Sequence, residues 1–206
     1  VAAGNTNMWL NAAKGDGDWT ANLLYMSSSV GAGDATTKMG LDLGYAMMGG
    51  DLNLAVSYNT TSNGVATEDG DMTSIGATYS INESMTATGN MTQYGENGFD
   101  GGSASMGGYA SSGSLGYLGA DDKDMNFGIT YNMGDFNLGA TMHQITNDGA
   151  DVGTSTTNAE YTRDVTDISL GYTMSDNANL SISMATDKVG DADDVQWMWI
   201  TLNIRP

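Results

Sequence analysis

The stretch MNFGITYNMGDFNLGATMH, residues 125–143, sorts cleanly in steps of two. Met125, Phe127, Ile129, Tyr131 and Met133 alternate with Asn126, Gly128, Thr130 and Asn132. After Gly134 and Asp135 the sorting resumes, with Phe136, Leu138, Ala140 and Met142 against Asn137, Gly139, Thr141 and His143. Successive side chains of a strand leave on opposite faces, so a period of two predicts two strands joined by a tight turn, each with one apolar and one polar surrounding. A helix would repeat its apolar positions every three to four residues, and this stretch does not.

The same pattern runs outward in both directions. It recurs in Met39, Leu41, Leu43, Tyr45 and Met47, in Leu52, Leu54, Val56 and Tyr58, in Ile168, Leu170, Tyr172 and Met174, and in Leu180, Ile182 and Met184. Weaker versions start at Met8, Trp19, Ile75 and Met85, and the last strand offers Met198, Ile200, Leu202 and Ile204. No Asp, Glu, Lys or Arg falls on these apolar faces. That vacancy suits contact with hydrocarbon, where an Arg or Lys costs about 2 to 4 kcal/mol near a bilayer midplane. The opposite face tolerates polar groups. Lys38, Asp42, Asp51, Asn126, Thr130, Asn137, His143 and Asp167 are candidate lining residues of a wet interior. In a soluble sandwich the apolar faces would instead meet each other, and alternation alone does not separate the two architectures.

Connection lengths supply the second test. Short ones, Lys14 to Asp18, Met48 to Gly50, Asn82 to Ser84, Gly134 to Asp135 and Ser175 to Ala178, alternate with long ones, about Ser27 to Thr37, Asn59 to Asp71, Gly95 to Asp124, Thr146 to Asp164 and Asp187 to Asp194. An up-and-down meander puts every short turn at one end and every long loop at the other, as in membrane β-barrels. Tyr45, Tyr79, Tyr131 and Tyr172 lie just before short turns on the apolar face, and Trp19 and Phe136 just after them, which predicts an aromatic girdle at one membrane boundary. Tyr25 and Tyr58, near the long-loop ends, suggest a second.

Composition bounds the remaining classes. Gly is abundant at 29 residues, Pro occurs once, and Cys is absent, so long helices are disfavoured and neither disulfides nor thiolate metal sites can form. No apolar run approaches the roughly 20 residues of a membrane helix. The net charge of −19 excludes a nucleic-acid partner, whose phosphates demand a basic surface. No linker divides the chain, so residues 1–206 are read as one domain.

On these residues the chain resembles the porins of Gram-negative bacteria, particularly the acidic, Gly-rich kind of alphaproteobacteria. The resemblance covers nearly the whole chain through its pattern, with no single diagnostic motif. It implies a transmembrane antiparallel up-and-down β-barrel in the bacterial outer membrane and a homotrimer, with outer-membrane lipid, small polar solutes and ions as partners. One departure is the ending Asn203, Ile204, Arg205, Pro206, where such barrels usually finish on an aromatic residue. Eleven strands are countable in the sequence. Bacterial barrels have an even number, so the expectation is about twelve strands with at least one N-terminal strand lacking, or a part of a sixteen-stranded porin.

Chemical sites are sparse. His143 is the single histidine, and no nucleophile motif accompanies it, so a lining role is favoured over catalysis. The Gly-rich segment from Gly95 to Asp124 either folds into the pore as a constriction or stays exposed. If it enters, Glu96, Asp100, Asp121, Asp122 and Asp124 form an acidic ring favouring cations, and Asp191, Asp193 and Asp194 add rim charge. The same Asp clusters invite a calcium reading, but neither follows the EF-hand spacing, so no metal or other cofactor is assigned. Trp197 and Trp199 face either the lumen or the girdle. The function expected is a passive, cation-preferring pore. The alternatives are a non-conducting outer-membrane barrel serving as anchor or adhesin, and a soluble β-sandwich that binds ligands through its loops.

Overall fold

A computed structural model describes residues 6–29, 36–62, 69–98, 120–148, 151–152, 156–157 and 160–205. Eleven long strands form one antiparallel sheet: β1 (Thr6–Asp16), β2 (Trp19–Ser29), β3 (Thr36–Met47), β4 (Leu52–Ser62), β5 (Gly70–Asn82), β6 (Met85–Tyr94), β7 (Asp122–Met133), β8 (Phe136–Asn147), β11 (Tyr161–Ser175), β12 (Ala178–Val189) and β13 (Val195–Ile204). The two-residue strands β9 (Asp151–Val152) and β10 (Thr156–Thr157) pair only with each other between β8 and β11. Every long strand pairs with its sequence neighbours, which is the up-and-down meander expected from the loop lengths. The sheet is not closed: β1 and β13 are its two edges.

Local chemistry explains how each short turn is made. Gly17 and Gly134 stand first in two-residue turns with φ of 59° and 58°, a left-handed conformation that costs glycine little. Their flanks pair directly, Asp16 with Trp19 and Met133 with Phe136. The turns Glu83–Ser84 and Asp176–Asn177 carry no glycine. There the register shifts instead, between Ser80 and Asn82 and between Thr173 and Ser175, and the extra residue bends the strand into the turn. Asn82 Oδ1 accepts the Ser84 amide at 2.9 Å, and Ser175 Oγ that of Asn177 at 3.4 Å, side-chain turns that substitute for backbone freedom.

The two faces differ as the alternation predicts. Leu10, Leu41, Phe127, Leu138, Met142, Ile168, Met184 and Ile200 all lie exposed on one face, with Phe127 at 57% and Ile200 at 63%. No second layer covers them among the described residues. The buried hydrophobic cluster lies elsewhere. Tyr94, Ile145, Val165 and Ala185, each 1% exposed, sit on the polar-parity face at the long-loop ends of β6, β8, β11 and β12, with Met72, Tyr161, Trp197 and Trp199 packed against them.

Candidate functional site

The candidate site is the polar-parity face, read from the long-loop end toward the short turns. On β8 its residues run Asn147, Ile145, His143, Thr141, Gly139 and Asn137, and on β11 Tyr161, Arg163, Val165, Asp167, Ser169 and Gly171, paired in register across the two strands. Its levels follow from that order.

At the top is a belt of buried charge. Arg163 reaches Asp187 on β12 through Nε at 2.8 Å and Nη2 at 3.0 Å, a two-pronged contact that fixes both side chains. Asn147 Nδ2 donates to Asp122 Oδ1 at 2.9 Å and to the Ala120 carbonyl, and the Tyr161 hydroxyl donates to the same carboxylate. Below it, Asp124 accepts from His143 Nδ1 at 3.0 Å and from Asn126 Nδ2 at 2.8 Å, while Asn90 Nδ2 donates on to Asn126 Oδ1 at 3.2 Å. With Arg163 paired to Asp187 and the Asp122 and Asp124 carboxylates each holding hydrogen-bond donors, Tyr94, Ile145, Val165 and Ala185 can pack among them.

The middle level is a polar trough of about 360 Å³, lined by Thr88, Asn90, Asn126, Thr141, His143 and Asp167 among others. Asp167 is half-buried, and its Oδ2 has no hydrogen-bond partner among the described residues. The trough has a counterpart on the first strands, a cavity of about 400 Å³ over β1 to β4 that includes Thr20, Asn22, Asp42 and Ser57. There Asp42 accepts from Ser57 Oγ at 2.7 Å and Asn22 Nδ2 at 3.2 Å.

Most residues expected from the sequence to line a wet interior share this face. Lys38, Asp42, Asn126, Thr130, Asn137, His143 and Asp167 all have the polar parity of their strands. Asp51 does not belong with them. It lies in the turn after a short 3-10 segment, exposed, with its carbonyl accepting the Ser80 amide, because the strand ends at Met47. The acidic candidates separate as well. Asp122 and Asp124 begin β7 and are each 3% exposed, committed to hydrogen bonds inside the sheet's polar face rather than to a loop.

Asp121 is left in the turn with φ of 60°. Partial burial, then the charges of Glu96, Asp122 and Asp148, push its carboxyl above the ordinary range. Glu96, Asp191, Asp193 and Asp194 are exposed in connections, and Asp100, with the loop from 99 to 119, lies outside the described residues. Among the described residues no three metal-ligating side chains converge.

The aromatic residues near the short turns fall on the apolar face. Trp19 pairs with Tyr45 across β2 and β3 and stacks on it at 4.2 Å between ring centroids, and Phe136 stacks on Tyr172 at 4.6 Å across β8 and β11. Trp197 and Trp199 take the other face, opposite Ala185 and Ser183. Sequence reading missed the apolar cluster on the polar face. Its signal was there in Ile145 and Val165, two residues beyond His143 and before Asp167 at positions where the alternation demands polar groups.

No protein-family model matches the sequence, and no curated protein does. Solved structures do match in fold. A porin refined at 1.8 Å superposes with a TM-score of 0.63 at 12% identity, covering 94% of this chain and 60% of that one. OpdQ of Pseudomonas aeruginosa gives 0.66 at 13%, with coverage of 94% and 55%. The outer membrane protein OprD of the same organism gives 0.64 at 14%, with coverage of 96% and 58%. The chain thus spans between 55% and 60% of the length of these porins. Its antiparallel sheet is similar to the wall of a porin barrel.

Proposed function

We propose that this chain forms wall of an outer-membrane β-barrel that passes small polar solutes and ions by diffusion, with a preference for cations. The observation that carries the reading is the single-layered sheet whose apolar face stands bare. Phe127, Met142, Ile168, Met198, Ile200 and Ile204 are each more than half exposed, an apolar surface that water would not tolerate and lipid would cover. From Met125 to Met133 the bare stripe on β7 runs eight steps of about 3.4 Å, which at a tilt near 40° spans about 21 Å of depth, close to the apolar band of such barrels.

The polar face supports the transport part of the reading. Gly, Ser, Thr and Asn keep it small and wettable, and Asp42, Asp124 and Asp167 bias it toward cations. Among the described residues the eleven-stranded antiparallel sheet leaves β1 and β13 as edges that run in the same direction.

The test is reconstitution of the folded protein in a planar bilayer under a potassium chloride gradient. Discrete conductance steps and a reversal potential of cation-selective sign are expected. Neutralising Asp42, Asp124 and Asp167 to Asn should move that potential toward zero. A protein that inserts into vesicles but never conducts would favour the second reading, a plugged barrel serving as anchor. The cluster of Tyr94, Ile145, Val165 and Ala185 on the polar face is the observation on that side.

A further inference from the structure

We infer that the polar trough binds a small solute carrying a primary ammonium group and a hydroxyl, which narrows the pore reading to a solute class and rests on it for a wet face. The trough, of about 360 Å³, is lined from β6, β7, β8, β11 and β12. His143 lines it with a side chain only 8% exposed. Its Nδ1 lies 3.0 Å from Asp124 Oδ2, and an ionised carboxylate only accepts, so Nδ1 carries the proton. In the neutral ring Nε2 is then an acceptor. The ring is held in place, because Asp124 also accepts from Asn126, and Asn126 in turn accepts from Asn90.

Asp167 supplies a second acceptor to the same trough. It lies opposite Thr141 on β8, which makes it a diagonal neighbour of His143 on one face. Its Oδ2 is buried and has no hydrogen-bond partner among the described residues. A carboxylate oxygen that loses water without gaining a donor is costly, and an arriving donor relieves that cost. Rotation about the last side-chain bond exchanges the two oxygens, so either one can meet the donor. Around the pair stand the hydroxyl residues Thr88, Thr141, Ser169 and Ser183.

That set of groups discriminates among solutes. An ammonium brings three N–H donors and a positive charge, enough for the imidazole nitrogen, the carboxylate and one hydroxyl. A quaternary ammonium has no N–H and is recognised by aromatic faces, and no Trp, Tyr or Phe lines the trough among the described residues. A metal ion takes about four to eight ligand atoms. Asp124 is already committed to His143 and Asn126, and among the described residues no three metal-ligating side chains converge. An anion would meet the negative charge of Asp124 and Asp167 and be repelled. The solute's own hydroxyl finds partners in the remaining Thr and Ser side chains.

Ligand-observed saturation-transfer NMR on the folded protein in detergent provides the test, with ethanolammonium, choline and ethylene glycol as probes. The first two share a charge and a hydroxyl and differ in the N–H groups. Ethanolammonium should bind saturably and at least about tenfold more tightly than choline, and ethylene glycol should give no saturable signal. Asp167→Asn keeps the size of the side chain and removes its charge, and should weaken ethanolammonium at least about tenfold. His143→Phe should weaken it as well, whereas Asp42→Asn, in the other cavity, should leave it unchanged, each variant first matched to the parent by circular dichroism. Comparable affinity for ethanolammonium and choline, displacement by equimolar potassium, or an Asp167→Asn protein that binds as the parent does overturns the proposal. Conductance decides the pore reading separately. A protein that binds ethanolammonium without conducting keeps the site and loses the pore, and one that conducts without binding does the reverse.

Discussion

Replacing Ile129 with arginine tests the two-faced sheet at its most sensitive point. Ile129 lies midway between Met125 and Met133 on the apolar face of β7, and Thr130, the next residue, lies on the polar face. One step along a strand reverses the face, so two adjacent arginines probe lipid and lumen at the same depth. Ile129→Arg should destabilise the folded, inserted protein by about 2 to 4 kcal/mol, a shift of roughly 30-fold to 1000-fold in the folding equilibrium. Thr130→Arg should cost far less, since its guanidinium enters a polar trough beside Asn126 and Thr141. Gln144→Arg, on the apolar-parity face at the polar rim, should cost about 0 to 1 kcal/mol, because the penalty falls with distance from the midplane. Reversible urea unfolding in lipid vesicles, followed by tryptophan fluorescence, measures all three. Equal losses at positions 129 and 130, or a larger loss at 130, would refute the assignment of the faces.

The remaining predictions address packing and charge. Arg163→Ala takes the guanidinium away from the buried Asp187 carboxylate and should cost about 3 to 5 kcal/mol in the same unfolding assay, whereas the double replacement Arg163→Met with Asp187→Leu should recover most of that loss. Trp19→Ala removes the stack on Tyr45 and should cost about 0.5 to 1.5 kcal/mol beyond the lost area, measurable in a double-mutant cycle with Tyr45→Ala. Asp121 has a carboxyl raised by burial and by Glu96, Asp122 and Asp148. Its protonated form favours folding below the ordinary value of 3.8, and that contribution is lost as pH rises through the raised value. Asp121→Asn should therefore leave neutral-pH thermal stability equal or higher and flatten its dependence on acid pH. A fall in melting temperature at neutral pH would contradict this. Asparagine also tolerates the left-handed backbone there.

How much was legible in the sequence depends on the range over which each residue acts. The alternation through residues 125–143, the tight turns at Gly17 and Gly134, and the grading of short and long connections are local, and they determined the strands, their faces and the meander. Hydrogen bonding between neighbours then follows almost without choice, because consecutive antiparallel strands joined by tight turns have few alternative registers. The polar face is another matter. Asp122 and Asp124 read as loop charge until β6, β8 and β11 bring Asn147, Tyr161, His143 and Asn126 to them. Trp197 and Trp199 gain a facing only from the register of β13 on β12. Tyr94, Ile145, Val165 and Ala185 become one cluster only when β6, β8, β11 and β12 are brought into one sheet. Each of these depends on the summed field and contacts of neighbouring strands, and a single strand's pattern carries no information about what stands across from it.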